Sequence, residues 1–378
     1  MKIVVSPDSF KGSLTATEAA RAMAAAIQDI NAEIETVLLP VADGGEGTLE
    51  PLVEATKGQI IIVQVHDPIG RPIEAEYGVL GDGETCVIEM AKASGLTLLT
   101  NDERNPLIAS TYGTGELICH ALDAGYRKFV IGIGGSATND GGTGMLHALG
   151  MKFLNVNGYD LELGAGALST LHGIDASAFD ERIQACQFVI ACDVDNPFVG
   201  TNGATAIFGP QKGVTPDMVQ QIDDNLTVLA NKIEAMTSVA LQNKPGAGAA
   251  GGLGGAFLAY FPVVLKPGIE VVMTAIDFHG QIKGASLILT GEGKSDLQTL
   301  SGKAPIGIAN AAKELQIPVV LISGYIDEGS RAQLSEHFLA MASVANEYIT
   351  QQESIQHASI HLRKRTYEAV QNIIKKIL

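Results

Sequence analysis

Four short apolar runs in this chain stop abruptly in polar, glycine-rich loops. Ile3–Val5 opens into Ser6–Ser13, Phe129–Ile133 into Gly134–Gly142, Phe188–Ala191 into Cys192–Pro197, and Leu287–Leu289 into Thr290–Asp296. A short apolar run bounded by turn formers is the pattern of a strand covered on both faces, and helical patterns lie between the runs. Thr15 and Glu18 have the spacing of a capping box, and Met23, Ile27 and Ile30 mark the inner face of the helix that follows. Thr215-Pro216-Asp217 starts another helix, carried on by Met218, Ile222, Leu226, Leu229, Ile233 and Met236. Strands alternating with helices call for an α/β fold with a parallel sheet.

The pattern changes between residues 60 and 90. Ile60–Val65, Ala75–Leu80 and Cys86–Met90 are strand-like and separated by Asp67-Pro68-Ile69-Gly70 and Gly81-Asp82-Gly83, which suits hairpins. After residue 284 the parallel pattern returns with Leu287–Leu289, a helix over Ala304–Leu315, Val319–Ile322 and Leu339–Ala342. A helical, amphipathic tail runs from Ser354 to Leu378. The expected architecture is a Rossmann- or flavodoxin-like parallel-sheet domain built from both chain ends, residues 1–60 and 285–378. A mixed α/β domain, residues 61–284, is inserted, and an active site is expected in the cleft between the two. Loops after Val5, Leu39 and Leu289 would then share the carboxyl edge of one sheet, where open α/β sheets bind ligands.

Size and charge bound the function. The 378 residues exceed what one core needs, and the net charge of −17 speaks against a nucleic-acid or anionic-membrane surface. An anionic substrate must therefore be met by local cations. Cys86, Cys119, Cys186 and Cys192 show no C-x-x-C spacing and read as free thiols. No run has membrane length and the N-terminus has no secretory pattern, so the expected location is the cytoplasm.

Carboxylates set among glycines recur in Ala42–Thr48 and Gly134–Gly142. Glycine lets backbone N–H groups approach a ligand closely, and a flanking acid can hold a metal, so phosphate with Mg²⁺ asks for both. A tight turn is the competing reading of each loop. The nucleotide fingerprints fail on context. Gly246-Ala-Gly248-Ala-Ala-Gly251 matches G-x-G-x-x-G, but it follows a long helix and Lys244-Pro245 instead of a strand. It reads as a flexible turn and small-residue helix start, for close packing or phosphate approach. Neither Gly293-Lys294 nor Gly302-Lys303 has the earlier glycine of a Walker A loop. Lys11, in the loop ahead of a helix, suits an anion, with Asp8 on Mg²⁺ or the substrate; an Asx-turn and a solvated lysine are the alternative. Asp193 follows a strand without polar residues and reads as a general base or metal ligand, or as a cap before Asn196-Pro197. Glu292, Lys294 and Asp296 alternate after another strand and so can share a cleft.

The strings SPDSFKGSLTA, ADGGEGT, DPIGRPI, VIEMAKASGL, TYGTGELI, IGIGGSATNDGG, ACDVDNP, FGPQKG, GAGAAGG and TGEGKSD follow in the order of the bacterial type-1 glycerate kinase family. The chain resembles that family from residue 1 to about 325. The resemblance implies phosphorylation of D-glycerate by ATP and Mg²⁺ to 2-phosphoglycerate, on two α/β domains. Under it, Asp193, Lys11 and Asp8 are expected to be catalytic. Ser9, Ser136, Lys294 and Glu292 are expected at the substrate, and Gly134, Gly135, Thr138, Asn139 and Gly141 at the nucleotide. Asp43, Glu46 and Asp140 are expected at the metal. Lys294 stands where the family string carries arginine, and lysine supplies a point charge without the bidentate fork. A homodimer is compatible with the sequence. An NAD(P)-dependent oxidoreductase acting on a small hydroxy acid is the alternative reading, resting on the glycine fingerprints.

Overall fold

The computed structural model describes residues 1–377 apart from 43 and 46. The chain forms two compact units, one of Met1–Asp43, Glu50–Lys57 and Pro267–Leu378, the other of Gly44–Leu49 and Gly58–Lys266.

The first unit is a five-stranded parallel sheet in the order Ala340–Ser343, Val319–Ser323, Leu287–Thr290, Lys2–Val5, Glu35–Leu38. Ile3, Val4, Val5 and Leu287–Thr290 are all fully buried, as the uninterrupted apolar runs require of central strands. The helix Ala16–Ile30 begins with the capping box its sequence announces: Thr15 Oγ1 accepts from the Glu18 N–H at 3.2 Å, and Glu18 Oε2 accepts from the Thr15 N–H at 2.9 Å. Its buried Met23 and Ile27 share a core with Leu362, Val370 and Ile374 of the C-terminal helix. That tail is two helices instead of one. Thr350 caps Gln351–Gln356, the backbone turns out of helical geometry at His357, and Ala358–Ile377 follows.

The second unit is a six-stranded mixed sheet in the order Val263–Lys266, Gln187–Ala191, Lys128–Gly132, Thr85–Glu89, Pro72–Val79, Gln59–His66. The first four strands are parallel, and the last two form the antiparallel hairpin that the Asp67–Gly70 turn predicts. Asp67 Oδ1 accepts from the N–H groups of Ile69 and Arg71 and so closes that turn. Phe129 and Phe188 stack at 4.7 Å between adjacent strands. Ile222, Leu226, Leu229 and Ile233 of the helix Pro216–Thr237 are fully buried, while Met236 is exposed.

The glycine segment after that helix is packed interior, not a flexible turn. Gly251 has φ +69°, and a Cβ placed there would come within 2.1 Å of the Thr138 carbonyl oxygen. A short 3₁₀ turn, Ala249–Gly252, leads into the helix Leu253–Tyr260, with no strand before it. The G-x-G-x-x-G match is therefore a close-packing device, which removes the dinucleotide reading.

Gly158, also at positive φ, has open space around it. Gly158→Ala is expected to cost about 1–2 kcal/mol, the strain of a left-handed residue alone. Gly251→Ala should lower the melting temperature by clearly more, because the opposing backbone oxygen cannot yield; equal shifts for the two variants would refute this packing.

Candidate active site

In the first unit the carboxyl ends of the strands surround a cavity of about 600 Å³. The loop after Val5 reaches it as a tight turn. Phe10 and Leu14 exchange backbone hydrogen bonds at 2.9 and 3.1 Å, Phe10 is buried, and the exposed Lys11 is lifted to the tip beside Gly12 at φ +79°. Asp8, only 6% exposed, accepts from the Ser9 N–H at 2.6 Å, and both residues line the cavity. Asp8, Ser9, Lys11, Glu292 and Lys294, all expected in the site, are thus brought together here.

Glu292 plays a supporting part. Its Oε1 accepts from the hydroxyls of Ser295 at 2.9 Å and Thr299 at 2.6 Å, and Ser295 also bonds Ser323 at 2.7 Å. Burial pushes its carboxyl above the usual range, against the Thr299 hydroxyl and the Lys303 charge. Lys294 is largely exposed and pairs with Asp296 at 3.1 Å. Three contributors escaped the sequence reading. Lys303 sits at the N-cap of the helix Ala304–Glu314 with its Nζ 3.9 Å from Glu292 Oε2. Asp327 accepts from the Ser330 N–H and hydroxyl. Ile355, Ala358 and Leu362, from the tail that carries no motif, make an apolar wall. The only sequence signal for Lys303 was a Gly-Lys pair before a proline-started helix.

In the second unit the loop after Lys128–Gly132 is mostly interior. Gly135 is exposed and Gly134 half-buried, but Ser136 is only 6% exposed and Thr138, Asn139 and Asp140 are fully buried. Gly141 turns inward, where a Cβ would meet the Leu229 side chain at 2.4 Å. Thr138, Asn139 and Gly141, expected at a nucleotide, thus face the protein interior. Only Gly134 and Gly135 are presented outward, with Ser136 just beneath them at the edge of this Gly134–Ser136 crest.

Asp140, expected at a metal, is bonded within the same buried loop. Its Oδ2 accepts from the Thr111 N–H at 2.8 Å, the Thr111 hydroxyl at 2.9 Å and the Gly144 N–H at 3.1 Å, and its Oδ1 from the Gly142 N–H at 3.0 Å. A carboxylate so engaged organises the loop. Burial pushes its carboxyl above the usual range despite these bonds. Asp43 and Glu46 lie outside the described residues. Among the described residues, no three His, Cys, Asp or Glu side chains gather into a metal-binding group.

Asp193 and Asp195 are both exposed after the strand Gln187–Ala191: the strand is largely buried, and the chain leaves the core one residue before Asp193. Two further buried groups of this unit were not singled out from sequence. Glu89 Oε1 accepts from the Leu49 N–H at 2.5 Å and its Oε2 from the Gly47 N–H at 3.3 Å, anchoring the start of the helix Leu49–Thr56. Lys212 is 1% exposed and donates to Ser136 Oγ at 2.6 Å and the Thr138 carbonyl at 2.7 Å.

The glycerate kinase family model matches residues 3–375, almost the whole chain. The chain belongs to the glycerate kinase family. It is 47% identical to a glycerate kinase of Bacillus subtilis over 99% of this chain and 98% of that protein. It is 47% identical to glycerate 2-kinase of Escherichia coli over 87% of this chain and 86% of the other. The crystal structure of a protein assigned as glycerate kinase 2 from Salmonella typhimurium LT2 superposes with a TM-score of 0.89 at 44% identity. That match covers 100% of this chain and 98% of the other. The chain is accordingly a phosphotransferase, and nothing supports the oxidoreductase alternative.

Burial lowers the Lys212 pKa to about 7, with Asp140 opposing the shift. Below that value the ammonium is charged in both folded and unfolded chains, and the full cost of burying it is felt. As pH rises toward the ordinary lysine value the folded chain holds a neutral amine, and that cost fades. Lys212→Met removes the titration. The melting temperature of the variant relative to the parent should therefore fall between pH 7 and pH 10; a difference independent of pH would contradict the buried-ammonium assignment.

Proposed function

We propose that the chain transfers the γ-phosphoryl group of ATP to the 2-hydroxyl of D-glycerate. The observation that carries this reading is the first unit's cavity, where Lys11, Lys294 and Lys303 collect in a protein of net charge −17. A local group of cations is what a carboxylate or phosphate substrate requires of an acidic protein. Lys11 and Lys303 neutralise the anionic oxygens. Asp8 and Ser9 fix orientation, and the apolar wall limits the size of the acid. The Gly134–Ser136 crest is the part of the glycine loop that meets phosphate. Mg²⁺ enters with the nucleotide, since Mg²⁺ keeps most of its shell as water and substrate phosphate; when bound it offsets charge on the β- and γ-phosphates. Asp43 and Glu46 are the carboxylates proposed for it.

Asp193 is proposed to accept or align the proton of the attacking hydroxyl. It follows directly on a buried strand end, and a loose transition state asks for orientation more than for basicity. Asp193→Asn should lower kcat by about two to four powers of ten with ATP affinity retained, whereas Asp195→Asn should leave kcat near normal. The reverse pattern would exchange the two roles, and two unaltered kcat values would remove Asp193 from the mechanism.

Lys11 is tested in the same coupled assay with D-glycerate and ATP–Mg²⁺. Because it stands exposed on a turn tip, Lys11→Met should leave the melting temperature unchanged while cutting kcat/KM by about 10²-fold or more. A variant with intact kinetics would return Lys11 to the status of a solvated lysine and remove the main support for the cavity as the substrate site.

A further inference from the structure

Lys212 has no part in the reaction as described, yet it is the most deeply buried lysine among the described residues. Its ammonium carries only donors, and neither of its hydrogen-bond partners is a carboxylate. An apolar side chain would fill that space without the desolvation cost. What the lysine supplies is direction: two short bonds, to Ser136 Oγ at 2.6 Å and the Thr138 carbonyl at 2.7 Å.

We propose that Lys212 is a positioning residue that turns the Ser136 hydroxyl into a committed donor toward an anionic oxygen, phosphate or carboxylate, at the Gly134–Ser136 crest. Hydrogen-bond capacity dictates the direction. While the lysine is charged it cannot accept, so Ser136 Oγ is then the acceptor in their bond and its own proton points elsewhere. Ser136 sits at the rim of the loop, next to the exposed Gly135, while Lys212 lies beneath and is closed to solvent. A hydroxyl that already receives a charged donor is polarised and donates more strongly through its own proton. The bond to the Thr138 carbonyl fixes the loop two residues further on, so the rim cannot shift relative to the lysine. Lys212 itself touches no ligand.

This role rests on the proposal that the crest meets substrate, and its test separates the two. Affinities for ATP–Mg²⁺ and for D-glycerate are measured by titration calorimetry, independently of turnover, for the parent, Ser136→Ala, Lys212→Met and the double variant. Each single variant should weaken the same one ligand by about tenfold or more, the scale of a hydrogen bond to a charged group. The double variant should be no weaker than either single one, since both remove one interaction. Weakening of ATP identifies the anion as a phosphate, and weakening of D-glycerate identifies it as the carboxylate. Additive effects, or Lys212→Met weakening both ligands alike, would mark a purely structural lysine and overturn the proposal. Ser136→Ala keeps the lysine and its Thr138 bond, so unchanged affinities in that variant overturn the proposal even where Lys212→Met fails to fold. A parent protein that binds neither ligand would overturn the crest reading and the inference with it.

Discussion

Ser6 joins three strands of the first unit at their carboxyl ends. Its N–H donates to the Leu289 carbonyl at 2.7 Å, its hydroxyl to the Leu39 carbonyl at 2.7 Å, and its own carbonyl accepts from the Thr290 hydroxyl at 2.8 Å. The residue is fully buried, so each of these groups would be costly to leave unmade. Through this knot the first loop of the chain is held against segments 33 and 284 residues away. Asp8, Lys11, Glu292 and Lys294 of the cavity arrive on the two loops that start from it. Asp8 is tied to the same edge by its N–H, which donates to the Gly291 carbonyl at 2.8 Å. The parallel sheet, the position of Lys11 and the shape of the cavity therefore share one origin.

The second unit solves a different problem, that of holding a glycine-rich loop still. Glycine costs backbone entropy when ordered, and the loop from Gly134 to Gly142 contains four of them. Two buried ionic groups supply the order. Asp140 gathers the N–H groups of Thr111, Gly142 and Gly144 on one side, and Lys212 holds Ser136 and Thr138 on the other. Such groups stabilise a particular conformation more than they stabilise the fold as a whole. The outcome is a two-glycine rim, Gly134 and Gly135, held by Ser136 above an otherwise buried loop.

How far the sequence could be read depended on the range of the interaction concerned. The capping box at Thr15, the Asp67 turn and the helix starting at Thr215 are local, and each is legible because its partners lie within four residues. Strand positions followed from apolar runs for the same reason. The bonds of Asp140 were not legible because an acid among glycines has the same local signature whether it faces a cation or the N–H groups of its own loop. The difference is made by Thr111, 29 residues earlier. Lys212 carried no local sign beyond its setting in Gly-Pro-Gln-Lys-Gly; its burial depends on a loop 74 residues away. The exposure of Asp193 turns on a single residue past the strand, which periodicity does not resolve. The cavity's apolar wall came from a tail without motifs, because shape there needs only hydrophobic side chains of suitable size.

Phosphoryl transfer to the 2-hydroxyl of glycerate is tested most directly by the product itself. Phosphorus NMR of a mixture of D-glycerate, ATP–Mg²⁺ and enzyme, recorded without proton decoupling, distinguishes the two esters by coupling. Phosphate on the secondary carbon has one proton three bonds away and gives a doublet; phosphate on the primary carbon has two and gives a triplet. A new phosphomonoester doublet growing as the ATP γ-signal declines is the expected result. A triplet, or loss of the γ-signal to inorganic phosphate alone, would contradict it.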